Sequence, residues 1–550
     1  MENVIARSPS AYSYPLLIKN ILLSPLADNP DREIVYGKNR YSYSQFKERV
    51  ARLATALKSL GVKEGDTVAV MDWDSNRYLE CYFAIPMIGA VLHTINVRLP
   101  AEQLAYTIDH AEDRFILVNA DFLPLLEAIR GRLDTVKEFV LMRDAPTVVA
   151  AIGGIDFAAE YEPMLAAAQP MAEYPDFDED ARATTFYTTG TTGMPKGVYF
   201  SHRQLVLHTI SALASLASVP GGMNFHREDV YMPITPMFHV HAWGIPYIAT
   251  MLGVKQVYPG KYIPANLLGL IAEEGVTFSH CVPTILAMLL REPSGASIDL
   301  SRWKCIIGGS ALPKAICVEA IKRGIDVFAG YGMSETCPVL SIARLTPEEL
   351  SAAADDQVAR RVRTGHPVAL AQIRVVDAQG REQPMDDRSA GEVVVRAPWL
   401  TQGYHKDQAN SERLWEGGWL HTQDVAVRDG TGSLRITDRL KDVIKVGGEW
   451  LSSLELEDII LAHPAVAEAA VIGRSDDKWG ETPVAAVVVK EGHEASARKI
   501  MEHLKGYMDR GIIPREALLT HVEITASIPK TGVGKTDKAA LRAAFGIKAR

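Results

Sequence analysis

Thr67-Val-Ala-Val-Met71 and Phe115-Ile-Leu-Val-Asn119 are short, unbroken apolar runs, each set among stretches with helical spacing. A strand that is apolar on both faces belongs in a parallel sheet covered by helices, and this rhythm restricts the fold of the chain more than anything else in it. Ser44 opens a helix with Phe46, Val50, Leu53, Leu57 and Leu60 on one face, and Gly61 ends it. A second helix from about Asn76 to Ile88 leads into the strand Ala90 to Ile95. The rhythm returns later, with a helix from Leu267 to Glu274, a strand from Trp303 to Gly308 and a helix from Ile316 to Arg323. The expected class is α/β: a large amino-terminal part of helix-covered parallel sheets.

The texture changes twice. From about residue 365 to 438 short alternating strands dominate: Gln372 to Asp377, Gly391 to Arg396 and Ser433 to Thr437, the signature of a small β-rich subdomain. Beyond residue 440 helices at Leu454 to His463 and Ala495 to Met508 flank strands at Ala469 to Gly473 and Val484 to Lys490. This is an α+β unit of about 110 residues, large enough for its own core. The division expected is residues 1–438, a hinge at 439–441 within Asp438-Arg-Leu-Lys-Asp442, and a unit at 442–550. A chain of 550 residues needs at least two such cores.

Net charge is −9, which argues against a nucleic-acid partner, since that surface would be basic. The five cysteines show no Cys-x-x-Cys spacing and read as reduced core residues, not a disulfide framework or a zinc site. The first residues lack the layout of a signal peptide and no apolar run reaches transmembrane length, so a cytoplasmic enzyme is expected.

The chemistry begins at Tyr187-Thr-Thr-Gly-Thr-Thr-Gly-Met-Pro-Lys-Gly-Val198, between two strand candidates. Glycines let backbone N–H groups approach an anion, threonines add hydroxyl donors and Lys196 adds a charge. A plain hairpin turn needs fewer residues and fewer donors. The loop fails the Walker spacing, because Lys196 follows Pro195. Thr531-Gly-Val-Gly-Lys-Thr536 fails it as well, having Pro529 where a glycine is required and only fourteen residues after it. Six further segments follow in order. Pro233-Ile-Thr-Pro-Met-Phe-His-Val-His-Ala-Trp-Gly244 carries two histidines that, on a strand, would face one side. Gly308-Gly-Ser310 follows a strand, and Ala329-Gly-Tyr-Gly-Met-Ser-Glu-Thr336 offers a ring and a carboxylate. Trp419-Leu-His-Thr-Gln-Asp424 places an acid where a strand should end. Cations then cluster at Arg439, Lys441 and Lys445, before Gly447-Gly-Glu-Trp450, and at Lys535. Each residue alone has a plainer reading, as a solvated lysine, a core aromatic or a surface acid. Together they are phosphate donors, a stacking platform, a ribose acid, a metal carboxylate and mobile lysines.

In these motifs and their order, from roughly Pro30 to Arg542, the chain resembles the adenylate-forming superfamily of acyl-CoA synthetases, luciferases and adenylation domains. It is most similar to the medium- and long-chain fatty acyl-CoA synthetases, through the Pro-Met-Phe-His-Val and Ala-Trp stretch and the Gly-Gly-Glu-Trp turn. The resemblance implies two steps: a carboxylate attacks the α-phosphate of ATP to give an acyl-adenylate and pyrophosphate, and coenzyme A then displaces AMP. It also implies that residues 1–438 bind acyl group and ATP, and that 442–550 form a mobile lid.

By position, the resemblance makes Thr188 and Glu335 the Mg²⁺ ligands and Lys196 a catalytic lysine of the phosphate loop. Thr188, Thr189, Gly190, Thr191, Thr192, Val240, Gly309, Gly330, Ser334 and Glu335 would bind the nucleotide, with Tyr331 stacked on adenine. Asp424 would take the ribose hydroxyls, Arg439 ribose or phosphate, and Trp450 would lie near the nucleotide. His239 would lie beside the acyl carboxylate and Trp243 would gate the acyl tunnel. Lys535 would act in adenylation, Lys445 in thioester formation, and Lys441 would be both a nucleotide contact and the hinge. Thr-Gln-Asp replaces the usual Thr-Gly-Asp at 422–424, and Thr189 stands where serine is common. The expected substrate is a medium- or long-chain fatty acid. The alternatives are a short, cyclic, aryl or methylthio-substituted acid, or a carrier-protein thiol as acceptor, with a non-enzymatic scaffold the remotest. Fatty acyl members include homodimers, and a homodimer is compatible with the chain.

Overall fold

The computed structural model describes residues 5–144, 155–188, 194–219, 223–447, 449–531 and 534–547. Thr189, Gly190, Thr191 and Thr192 of the glycine-rich loop lie outside the described residues.

Among the described residues, two large sheets carry the amino-terminal part. The seven-stranded one runs Phe157–Glu160, Glu138–Met142, Asp113–Asn119, Thr67–Met71, Val91–Thr94, Arg182–Thr188, Lys196–Ser201 in spatial order. Its pairings are parallel except the last, an antiparallel hairpin closed by the glycine-rich loop. In the nine-stranded sheet, Val230–Pro233, Phe278–Cys281, Lys304–Ile307 and Asp326–Gly332 lie parallel, side by side. Thr67–Met71 and Lys304–Ile307 are buried at every residue, as strands covered on both faces must be.

Helix Tyr43–Ser59 shows why the local sequence folds as it does. Phe46, Val50, Leu53 and Leu57 are fully buried along one face. Its start differs from the expected Ser44. Ser42 is the cap, its Oγ accepting from Gln45 N–H while the Gln45 side chain accepts from Ser42 N–H. Two orphan donors are satisfied there, and Ser44, two residues later, lies inside the helix. Helix His202–Ala217 repeats the device with Ser201 and Gln204.

Four antiparallel strands, Gln372–Val376, Gly391–Arg396, Leu420–Arg428 and Leu434–Arg439, make a separate small sheet. Asp424 does not end a strand, as expected; it sits in the middle of Leu420–Arg428, directly paired with Arg439. Gln423 takes a left-handed φ of 61° where the pairing with Gly391–Arg396 shifts register, and its N–H and amide both donate to the Glu392 carboxylate. After residue 442, Val466–Asp476 and Gly480–Val489 form a long hairpin with helices Ser453–Leu461 and Ala497–Asp509 packed on it. Ile444, Leu456, Ile460, Val471, Val487, Ile500 and Leu504 make this unit's own core. All five cysteines are free and buried, and no described helix is long and apolar enough to cross a membrane.

Candidate active site

In parallel sheets the crevice beyond the carboxyl ends of the strands is where ligands bind. Here that edge of the nine-stranded sheet offers, from successive strands, the His239 segment, Val282, Gly308-Gly309 and Tyr331. The small sheet faces it with Asp424 and Arg439. Tyr331 Oη donates to Asp424 Oδ2 at 2.8 Å, and Arg439 Nε lies 3.2 Å from Asp424 Oδ1. Burial pushes the Asp424 carboxyl up, and Arg439 and Tyr331 pull it back. Gly330 is needed behind the ring, since a Cβ there would press on Ile306 Cγ2 at 3.0 Å.

Lys535 reaches into this cluster from the far side of the chain. Its Cε would lie 2.9 Å from a Cβ on Gly309, whose φ is +78°, so only glycine leaves its place open. Burial and the Arg439 guanidinium lower the ammonium to about 8, against the opposing pull of Asp424 and Glu335. Lys535 and Arg98 in turn help burial hold His239 at about 3, so that imidazole is neutral.

A second group adjoins the first. Glu335, in the turn Ser334–Thr336, is buried, and Tyr404 Oη donates to its Oε1 at 2.8 Å. Burial raises the Glu335 carboxyl, while Tyr404, Arg439 and Lys196 act to lower it. The Lys196 ammonium lies 4.7 Å from the Tyr404 ring centroid. Lys196 is the strand partner of Thr188, so both stand at the mouth of the glycine-rich loop. Sequence reasoning missed Tyr404; the trace it leaves is an aromatic directly after the polar Thr401-Gln-Gly403.

The His239 segment corrects an expectation. His239 and His241 do not alternate along a strand. Val240, His241, Ala242 and Trp243 have φ of 50°, 54°, 46° and 59°, a left-handed turn ended by Gly244 at 71°. Left-handed backbone costs an L-residue roughly 1–2 kcal/mol, so this turn is held against its own preference. Three side chains clamp the chain just before it. Asp74 Oδ1 accepts Met237 N–H at 2.9 Å, Thr94 Oγ1 donates to the Phe238 carbonyl at 3.0 Å, and Tyr82 Oη donates to the Met237 carbonyl. The turn buries His241 against Tyr82, Phe186 and Tyr247. Trp243 lies against His280, ring centroids 5.0 Å apart and tilted by 38°, and fills the notch left by Gly308, where a Cβ would meet its ring at 3.0 Å.

Two residues stand apart. Lys445 and Trp450 pair on the hairpin of Ile444–Val446 and Glu449–Leu451, ammonium 5.7 Å from the indole centroid. Trp450 is 47% exposed there, and it does not join the cluster around Tyr331 as expected, because this hairpin follows the hinge and turns its ring to solvent. Lys441 adjoins the cluster, its ammonium drawn below the usual lysine range by desolvation and by Arg439, against the pull of Asp442 and Asp424.

A buried carboxylate, a second acid bridged to a tyrosine, and three cations within one crevice suit a polyphosphate carried on a ribose. The comparisons agree. Residues 25–405 match the AMP-binding enzyme family and residues 455–535 the AMP-binding enzyme C-terminal domain. The chain is 40% identical to a long-chain-fatty-acid–CoA ligase of Thermus thermophilus, over 92% of this chain and 90% of that one. It is 36% identical to a 3-methylmercaptopropionyl-CoA ligase of Ruegeria lacuscaerulensis, over 96% and 97%. Its fold matches the anthranilate CoA ligase AuaEII in complex with anthranoyl-AMP, at a TM-score of 0.82, 25% identity and coverage of 96% and 98%.

Proposed function

The chain belongs to the AMP-binding enzymes and is an AMP-forming acyl-CoA ligase, and from that premise we propose that it activates a medium- or long-chain fatty acid. The observation that carries the residue roles is the convergence of Lys535, Arg439, Asp424, Tyr331 and Glu335 in one crevice. The relative at 40% identity supports a fatty substrate.

In the first half-reaction a carboxylate oxygen attacks the α-phosphorus of ATP and pyrophosphate leaves. Both partners are anionic, so the work is positioning and neutralisation of charge. Lys535 supplies a cation at the α-phosphate and the acyl oxygen. Tyr331 stacks on adenine, Gly309, Gly330, Ser334 and Val240 line the nucleotide, and Asp424 accepts from the ribose hydroxyls. Arg439 contacts ribose or phosphate. Lys196 and the hydroxyls and N–H groups of the glycine-rich loop hold the departing pyrophosphate. Neutral His239 can donate to the acyl carboxylate without adding a charge, and Trp243 closes the acyl tunnel behind it.

The donor chemistry suits Mg²⁺. Glu335 is buried and raised, and its hydrogen-bond partner is a neutral hydroxyl, which suits a hard cation sharing it with Thr188 and substrate oxygens. When bound, the ion would neutralise phosphate charge. In the second half-reaction residues 442–550 turn about Lys441, Lys445 replaces Lys535, and the coenzyme A thiol displaces AMP. The enzyme is taken to work in the cytoplasm.

A panel of carboxylic acids in ATP–pyrophosphate exchange, with and without coenzyme A, tests the reading. Acids of about eight to sixteen carbons should support both exchange and thioester formation. Preference for short or ring acids would overturn the fatty substrate, and exchange without any thioester would point to a carrier-protein acceptor.

A further inference from the structure

Two polar contacts join the chain beyond the hinge to the nine-stranded sheet, and neither touches the reacting groups. Thr284, in helix Pro283–Arg291, donates from Oγ1 to the carbonyl of Gly534 at 3.1 Å, one residue before Lys535. Gly534 has φ +83°, and a Cβ on it would lie 3.4 Å from that same Oγ1. The loop therefore approaches Thr284 closely through backbone.

The second contact is a helix cap lent from the other side of the hinge. Helix Lys314–Lys322 begins after Pro313, which has no acceptor in its side chain, and no side chain caps it from that position. Its first N–H, that of Lys314, donates instead to Asp458 Oδ1 at 3.0 Å. Asp458 belongs to helix Ser453–Leu461, beyond residues 439–441. A carboxylate is the favoured partner for the positive end of a helix, where four N–H groups lack intrahelical acceptors. Glu455, on the same helix as Asp458, also faces the Lys314 side chain, with Arg435 nearby. Rotation at 439–441 that carried Lys535 off Gly309 would stretch both bonds past hydrogen-bonding distance.

We infer that Thr284 and Asp458 form a latch that holds residues 442–550 in the arrangement with Lys535 in the site, and are positioning residues for the adenylation half-reaction. The inference rests on the roles proposed above for Lys535 and the hinge. The latch favours one arrangement over the other, so its loss lowers the fraction of molecules competent for adenylation and leaves the thioester arrangement unhindered.

Thr284→Val and Asp458→Ala remove one bond each; Thr284→Ser and Asp458→Asn keep an atom that can make it. ATP–pyrophosphate exchange with octanoate, and thioester formation from pre-made octanoyl-adenylate, are measured on all four and on Lys535→Ala. Each disruptive variant should lose about tenfold in exchange, on the order of one hydrogen bond to a carbonyl or charged acceptor. Both should form thioester at least as fast as wild type, and the conservative variants should recover exchange to within about twofold. Equal losses in both half-reactions, or unchanged exchange, would overturn the latch. Exchange lost in Lys535→Ala but normal in Thr284→Val and Asp458→Ala would remove the latch alone. Exchange surviving in Lys535→Ala would remove the role of Lys535 and the latch together.

Discussion

Lys535 is held as a cation only up to about pH 8, because burial and Arg439 both disfavour its charge. Below that pH it is protonated and can meet the developing charge; above it the charge is lost. The kcat/KM of the exchange reaction, which reports the free enzyme, should therefore fall as pH rises through about 8. His239 stays neutral from about pH 3 upward and contributes no limb in this range. Lys535→Arg should move the alkaline limb beyond reach, since a guanidinium does not deprotonate there, and an unmoved limb would assign it to another group. Lys535→Ala should lower exchange on the order of 10²–10³-fold, the scale of losing one preorganised charge stabiliser. A gentler probe is Gly309→Ala. Its Cβ would sit 2.9 Å from Lys535 Cε and 3.1 Å from Val282 Cγ1 on a backbone with φ +78°. Exchange should drop about tenfold or more while thioester formation from pre-made adenylate is less affected. Wild-type exchange in this variant would mean Lys535 does not need that notch. The lysine, the glycine and their types were readable from motif order. That one rests on the other was not, because nothing local ties residues so far apart.

The left-handed turn Val240–Trp243 is the element whose shape the sequence hides. Alternating histidines read as a strand, and only tertiary clamps from Asp74, Thr94 and Tyr82 override that preference. The strands and helices around it were legible because period and burial agree there, as at Thr67–Met71 and Tyr43–Ser59. The clamp has its own signature. Burial lifts the Asp74 carboxyl to about 7, with Tyr262 and Met237 N–H acting to lower it. Its folded value is thus above the unfolded value of about 3.9. Between those values the native state binds more protons than the unfolded chain, so stability falls as pH rises from about 4 to about 7. Asp74→Asn keeps an acceptor for Met237 N–H, puts an amide that donates to Tyr262 Oη where a carboxylate oxygen accepts from it, and does not titrate. Its stability advantage over wild type should grow by about 2–3 kcal/mol between pH 5 and pH 8 in denaturant melts. Parallel curves would show that Asp74 ionises in the fold without cost.

At the scale of the whole molecule, the proposed reading has one chain present two lysines to one site in turn. The motif order points to both, and to the glycine-rich loop, but a sequence cannot choose between two arrangements about one proposed hinge. The structure has Lys535 over Gly309 and Lys445 out on an exposed hairpin with Trp450. The junction is braced by polar contacts. Asp438 accepts from Ser453 N–H at 2.6 Å and from its Oγ at 3.0 Å, Lys538 donates to that Oγ at 2.6 Å, and Arg542 meets Asp442 at 2.6 Å. Two of these four, both between Asp438 and Ser453, link groups on opposite sides of 439–441, so turning about Lys441 must exchange them for others, and the two arrangements are discrete, not graded. Lys445 then has no part in the first half-reaction. Lys445→Ala should exchange pyrophosphate into ATP within about twofold of wild type, and form thioester from pre-made adenylate at least tenfold more slowly. Mixed with ATP, acid and coenzyme A, it should release a burst of about one pyrophosphate per chain and then stall, because the adenylate leaves only through the step that has been slowed. Steady pyrophosphate release at the wild-type rate, with thioester accumulating, would mean that Lys445 serves neither arrangement.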